Sequence, residues 1–255
     1  MRRPIFMPTL SLALGHGLLT SAVPAIQELY EFPNATWTEN IAIRPSGQLL
    51  LMSIDYNRLF AFDPDASAPQ IALQIPNVNS LTGIAEIAPD EFVVAGGVLN
   101  ITAGEFLTNI TFSIVEFSRS QATLKKTLTG PSLALPNGMA SLTSAPGVVL
   151  VADSLAGRIL RVDTKTGNIS SVLESPELLP GSNGTPGVNG IKTLGAYLYY
   201  TNSATGFLGK VPMSADGWQF GNFETVVVLS TGGDVFDDFA TDARGVCMPR
   251  CIPTR

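Results

Sequence analysis

The sequence predicts an all-β fold, a β-propeller of four-stranded blades, and three observations predict it. A strand–turn–strand module recurs at a fixed period. A short inner strand with its own signature precedes each module. No long stretch of helical period appears beyond the first residues. The module is clearest where Gln48-Leu-Leu-Leu-Met-Ser53 passes through Asp55-Tyr-Asn57 into Arg58-Leu-Phe-Ala-Phe-Asp63. It returns where Val148-Val-Leu-Val-Ala-Asp-Ser154 passes through Ala156-Gly157 into Arg158-Ile-Leu-Arg-Val-Asp163. The two Arg-to-Asp hexapeptides stand 100 residues apart, two repeats of about 50.

Tyr197-Leu-Tyr-Tyr-Thr-Asn-Ser203 followed by Phe207-Leu-Gly-Lys-Val-Pro212 gives another copy. A less regular one joins Glu91-Phe-Val-Val-Ala-Gly-Gly97 to Phe112-Ser-Ile-Val-Glu-Phe117, with Val98 to Thr111 read as a long insertion. These runs are rich in β-branched and aromatic residues and are broken by Gly, Asp and Asn, as antiparallel strands are. Asp63 and Asp163 read as turn formers, as do Asp153-Ser154 and Asn202-Ser203. Outer strands are expected over Gln70 to Ile75, Ile169 to Leu173 and Glu224 to Leu229. The inner strands are Glu39-Asn-Ile-Ala-Ile43, Thr82-Gly-Ile-Ala-Glu86, Asn137-Gly-Met-Ala-Ser141, Asn189-Gly-Ile-Lys-Thr193 and Asp237-Asp-Phe-Ala-Thr241. Four strands per unit, repeated, make propeller blades.

Four blades and the start of a fifth are legible. After Gly245 the expected apolar strand gives way to Val246-Cys-Met-Pro-Arg-Cys-Ile-Pro-Thr-Arg255, where Pro249 and Pro253 disfavour a central strand. The domain reading is therefore a signal peptide over 1–25, a propeller over 26–245 that is incomplete at its C-terminal side, and an atypical tail over 246–255. On that reading the chain is a truncated or mis-spliced product.

Export is expected from the first residues. Arg2 and Arg3 precede an apolar stretch from Ile5 to Thr20, and Val23-Pro24-Ala25 offers small residues for cleavage. A membrane anchor competes, but Pro8, Gly15, His16 and Gly17 interrupt the stretch, which is short of the ~20 apolar residues a span needs. Five Asn-x-Ser/Thr sequons, at Asn34, Asn100, Asn109, Asn168 and Asn183, are candidate glycosylation sites and agree with a secreted or lumenal protein. The net charge of −6 and the lack of any basic run beyond an adjacent pair exclude a nucleic-acid partner. No later segment spans a membrane, and a monomer is expected.

The single histidine, His16, lies in the proposed signal peptide. Histidine-based nucleophile systems and zinc sites are thereby excluded from the mature chain. The two cysteines, Cys247 and Cys251, form no disulfide framework.

Propeller inner strands begin at one face of the central channel, so their first residues converge: Glu39, Thr82, Asn137, Asn189 and Asp237. Two carboxylates and two carboxamides there suit a hard divalent cation such as calcium. The last three are spaced by 52 and 48 residues, one blade each. The bland reading makes Asn137 and Asn189 structural caps of exposed backbone. Trp37, Tyr56 and Trp218 are read as blade packing or as walls of a substrate pocket.

The Glu39-Asn-Ile start, Pro136-Asn-Gly-Met, Val188-Asn-Gly-Ile and Asp237 together resemble the SMP-30/gluconolactonase-like family of six-bladed propellers, over roughly Pro33 to Gly245. The resemblance implies Glu39, Asn137, Asn189 and Asp237 as metal ligands, and Asp237 and Glu39 as the catalytic carboxylates. Thr82 and Asn40 are the expected substrate contacts. The family's Glu-Gly-Pro segment is absent, and Trp37-Thr-Glu-Asn40 stands in its place. That variant looks like an exported fungal branch that includes hetero-Diels–Alderases, which bind a polyketide alcohol at the channel mouth, assist its dehydration and direct a cycloaddition. The resemblance thus implies a small-molecule enzyme of fungal secondary metabolism. A calcium-dependent lactone hydrolase and a non-catalytic binding module or inactive remnant are the competing readings.

Overall fold

The computed structural model describes residues 27–34, 36–100, 105–119, 121–130, 133–229, 234–241 and 247–253. The proposed signal peptide lies outside them. Residues 27–31 belong to an N-terminal unit and carry no regular structure; Phe32–Arg255 forms the second unit. Within that unit four sheets of four antiparallel strands follow one another as blades of a propeller.

Blade 1 is β1 (Thr38–Ile43), β2 (Leu49–Ser53), β3 (Arg58–Phe62) and β4 (Gln70–Gln74). Blade 2 is β5 (Ser80–Ala88), β6 (Glu91–Asn100), β7 (Glu105–Ser118) and β8 (Gln121–Thr129). Blade 3 is β9 (Pro136–Ser141), β10 (Val148–Asp153), β11 (Arg158–Asp163) and β12 (Ile169–Glu174). Blade 4 is β13 (Val188–Leu194), β14 (Tyr197–Asn202), β15 (Phe207–Pro212) and β16 (Glu224–Val228). A two-stranded sheet, β17 (Asp234–Thr241) with β18 (Cys247–Pro253), follows. Among the described residues the only helix is a single 3-10 turn over Pro176–Leu178.

Two elements differ from the sequence reading. The expected insertion in blade 2 is an extension of the hairpin, because Val98 pairs with Thr108 and Leu99 with Leu107, continuing the ladder outward. The expected atypical tail contains β18, a strand of a two-stranded sheet and so not the central strand that its prolines disfavour. Its prolines are accommodated because a strand of a two-stranded sheet has a free edge, where a missing N–H leaves no ladder bond broken.

The hydrophobic core runs along the seams between blades. Strand β6 shows why: Phe92 and Val94 pack toward blade 1, whereas Val93 and Ala95 pack toward blade 3. Alternate side chains of a strand point to opposite faces, so a sheet buried on both faces needs an unbroken apolar run. Strand β10 repeats this, with Val149 and Val151 on one side and Leu150 and Ala152 on the other. Each fully buried Phe or Leu contributes roughly 1.5–3 kcal/mol. The turns are built as the sequence suggests. Asp163 accepts from the N–H groups of Lys165 and Thr166, both at 3.0 Å, and Asp63 accepts from Asp65.

One irregularity recurs in all five sheets. The inner strand carries an extra residue against its neighbour, at Asn40, at Thr82, at Asn137-Gly138, at Asn189-Gly190 and at Asp237-Asp238. A β-bulge re-aims the side chains beside it. Here it recurs at the register where the sequence places the candidate ring.

Candidate functional site: the ring of inner-strand bulges

Successive inner strands lie side by side, β1 against β5, β5 against β9, β9 against β13 and β13 against β17. The residue after each ring position sets how close they come. In blades 2, 3 and 4 it is glycine. A Cβ on Gly138 would strike the carbonyl oxygen of Asn189 and lie 2.8 Å from Gly190 Cα; one on Gly190 would lie 2.7 Å from Asp238 Cα. One on Gly83 would lie 2.7 Å from Met139 Sδ. The Asn-Gly pairs therefore have a packing reason: the glycine lets one bulge nest on the next.

Two clusters form among the candidate residues. In the first, Asn40 donates from Nδ2 to the carbonyl of Thr82 at 2.6 Å and to Oδ1 of Asn137 at 2.8 Å. Blades 1, 2 and 3 are thus tied by one side chain. The carbonyl of Thr82 can only accept, so the group Asn40 turns toward Asn137 is N–H, and Asn137 answers with its oxygen. Asn40 sits at φ 56°, the left-handed region that Asn tolerates better than most residues. Thr82, expected to touch substrate, is 1% exposed and contributes its backbone carbonyl to Asn40.

In the second cluster Asn189 donates to Ser203 Oγ at 2.9 Å and to Asp237 Oδ1 at 3.1 Å. Ser203 gives its only proton to the carbonyl of Phe236 at 2.6 Å, so it must accept from Asn189, which fixes the orientation of that amide. Thr201, one position before Asn202, accepts from Gly190 N–H at 2.9 Å and donates to the carbonyl of Asp237 at 2.5 Å. Two buried hydroxyls, one in β14 and one just past its end, thereby pin the β17 bulge on which Asp237 rides. Ser203 was expected only to form a turn, and Thr201 was not singled out. Ser203 has a counterpart in Ser154 of blade 3, but Ala152 stands there in place of Thr201, so no repeat marks the pair.

Neither asparagine caps exposed backbone, as the bland reading supposed; both bond side chains across a seam. Asn137 and Asn189 are buried. Asn189 Oδ1 meets no donor among the described residues. Glu39 accepts from the indole N–H of Trp37 at 3.1 Å. Trp37, Tyr56 and Trp218 are all exposed and lie outside the packed seams. Beside the ring Lys192 pairs with Asp238 at 2.7 Å and lies over the Phe239 ring.

As a cage for a divalent cation the set falls short. Of the four expected ligands, Glu39, Asn137 and Asp237 already accept from N–H groups of the protein. Asn189 turns an N–H, not its oxygen, toward the carboxylate it would have to ligate beside. Two ring atoms, Asn189 Oδ1 and Thr82 Oγ1, are buried with no hydrogen-bond partner among the described residues, and the first invites a donor or a cation.

All five sequon asparagines are exposed, and Cys247 and Cys251 lie on β18, outside the residues whose side chains are described. Among the described residues no helix is long and apolar enough to cross a membrane.

No family model matches the chain. It is 28% identical over 239 residues, 83% of its length, to a protein of Sarocladium schorii named a hetero-Diels-Alderase. It spans 60% of that protein. A second protein so named, from a Phoma species, is 27% identical over 84% of this chain and 68% of its own. Among solved structures, the calcium-binding protein regucalcin of Agrobacterium tumefaciens matches with a TM-score of 0.56 at 15% identity, over 83% of this chain and 66% of that one. A gluconolactonase of Xanthomonas campestris matches with a TM-score of 0.54 at 14% identity, over 82% and 66%. The chain is a β-propeller similar in sequence to proteins named hetero-Diels-Alderases, with the fold of regucalcin and gluconolactonase.

Proposed function

We propose that this chain is a propeller enzyme of the hetero-Diels-Alderase type, acting on a small organic molecule at the ring of inner-strand bulges. The observation that carries the reading is its likeness, over more than four fifths of the chain, to two proteins of that name. The ring adds chemistry in keeping with it. A hetero-Diels–Alder reaction forms two σ bonds from π bonds and loses no atom, so what a protein can supply is orientation of the two partners. Asn137 and Asn189, buried and fixed by their neighbours, offer an amide donor and an amide oxygen for that purpose. Asp237 and Glu39 are the carboxylates that can move a proton if the diene is first made by loss of water from an alcohol. We place the protein in the secretory pathway, a reading supported by the exposure of all five sequon asparagines.

The test is to incubate the purified chain with a hydroxymethyl-bearing polyketide phenol and an alkene partner, and to follow the cycloadduct by chiral chromatography. The expected result is an enantiomeric excess absent from the uncatalysed mixture, with Asp237→Asn slowing formation by about 100-fold, the lower range for a proton-transfer group. Racemic product at the background rate would count against the reading.

A further inference from the structure

We infer that the ring of this chain takes a neutral oxygenated ligand through hydrogen bonds and excludes a divalent cation, and that Asn40 is the residue that decides it. The inference rests on the ring being the binding site and on no particular reaction.

The position Asn40 occupies is glycine in three other blades, at Gly83, Gly138 and Gly190. Its backbone holds the left-handed conformation that glycine adopts more easily. The side chain gained there is used in full as a donor: its amide nitrogen is bound to the Thr82 carbonyl and to Asn137 Oδ1. Asn137 is thereby turned, its oxygen toward Asn40 and its two N–H donors left for other partners. A cation needs converging oxygens and is repelled by N–H groups. Asn40 thus supplies to Asn137 Oδ1 the positive partner that a metal would supply, and does so from within the chain.

The opposite side of the ring is arranged to match. Ser203 and Asp237 take both N–H directions of Asn189 and leave its Oδ1 as a buried acceptor with no donor among the described residues. The ring therefore presents amide donors at Asn137 and an unpaired amide oxygen at Asn189, on neighbouring inner strands. A neutral molecule with a hydroxyl beside a carbonyl satisfies both: its hydroxyl donates to Asn189 Oδ1 and its carbonyl accepts from Asn137 Nδ2. An unpaired buried acceptor is costly, and such a ligand removes that cost.

The experiment is a calcium titration of the full chain, stripped with chelator, by calorimetry and thermal melting, beside Asn40→Gly. The wild type is expected to show no saturable heat and an unchanged melting temperature at millimolar calcium. Asn40→Gly frees Asn137 to turn its oxygen inward and is expected to gain one calcium site with at least tenfold tighter binding, lost again with Asp237→Asn. Saturable 1:1 calcium binding by the wild type, abolished by Asp237→Asn, overturns the inference and needs no folded Asn40 variant. A folded Asn40→Gly that gains nothing overturns the role of Asn40. For the ligand, 2-hydroxyacetophenone is titrated while the side-chain amide resonances of Asn137 and Asn189 are followed; both are expected to shift, and their constancy to the limit of solubility overturns the donor–acceptor assignment. None of these arms reads cycloaddition, so failure of the proposed reaction would leave them intact.

Discussion

The seam between blades 3 and 4 and the contact between blades 1 and 3 solve the same problem in opposite ways. At the first, Gly138 removes its side chain so that two bulges touch through backbone alone. At the second, Asn40 stands at the equivalent position and reaches across with a side chain, bonding Thr82 and Asn137. Backbone contact gives rigidity without chemistry. A side-chain bridge at the same register orients the amide it meets, and with it the groups a ligand can use. Where the repeat is kept, the ring is held; where it is broken, the ring acquires its polarity.

The comparison can be broken most severely at the glycine. Gly138→Ala places a methyl against the Asn189 carbonyl and 2.8 Å from Gly190 Cα, and only backbone movement relieves it. We expect a loss of about 3 kcal/mol or more, the upper end for overpacking, read by denaturant unfolding. The supporting hydroxyls are next. Thr201→Val keeps the shape but strands the Gly190 N–H and the Asp237 carbonyl, for an expected loss of about 1–3 kcal/mol and a matching drop in activity through misplacement of Asp237.

The smallest effect is on a turn far from the ring. Backbone N–H of Thr166, with that of Lys165, holds the Asp163 carboxyl below its ordinary value of 3.8. A depressed carboxylate contributes stability that is present above the ordinary value and lost as the pH falls through the lowered one. Asp163→Asn should therefore melt slightly below the wild type at pH 7, with the gap closing as the pH falls below about 3.8, as thermal melts across that range would show.

The propeller was legible because two periodicities agree. A repeat of about 50 residues sets the blades, and unbroken apolar runs such as Phe92-Val-Val-Ala95 mark strands buried on both faces. The ring positions were legible for the same reason, since a repeated register puts repeated residues in one place. What lay beyond the repeat was not. The hydrogen bonds of Asn40, Thr201 and Ser203 reach residues 97, 36 and 33 positions away, and no local pattern encodes such partners. The hairpin extension over Val98–Thr111 was hidden because its sequons and Gly read as a loop, while Leu99 and Leu107 continue the pairing. The strand at Cys247–Pro253 was hidden by prolines that only an edge tolerates.

The central claim is that one side chain of blade 1 sets the orientation of an amide on blade 3. A double-mutant cycle on stability with Asn40→Ala and Asn137→Ala tests it most directly. A bonded pair predicts that the double variant is less destabilised than the two single variants summed, by about 1 kcal/mol, because the second substitution removes an amide already deprived of its partner. Strict additivity would contradict the account.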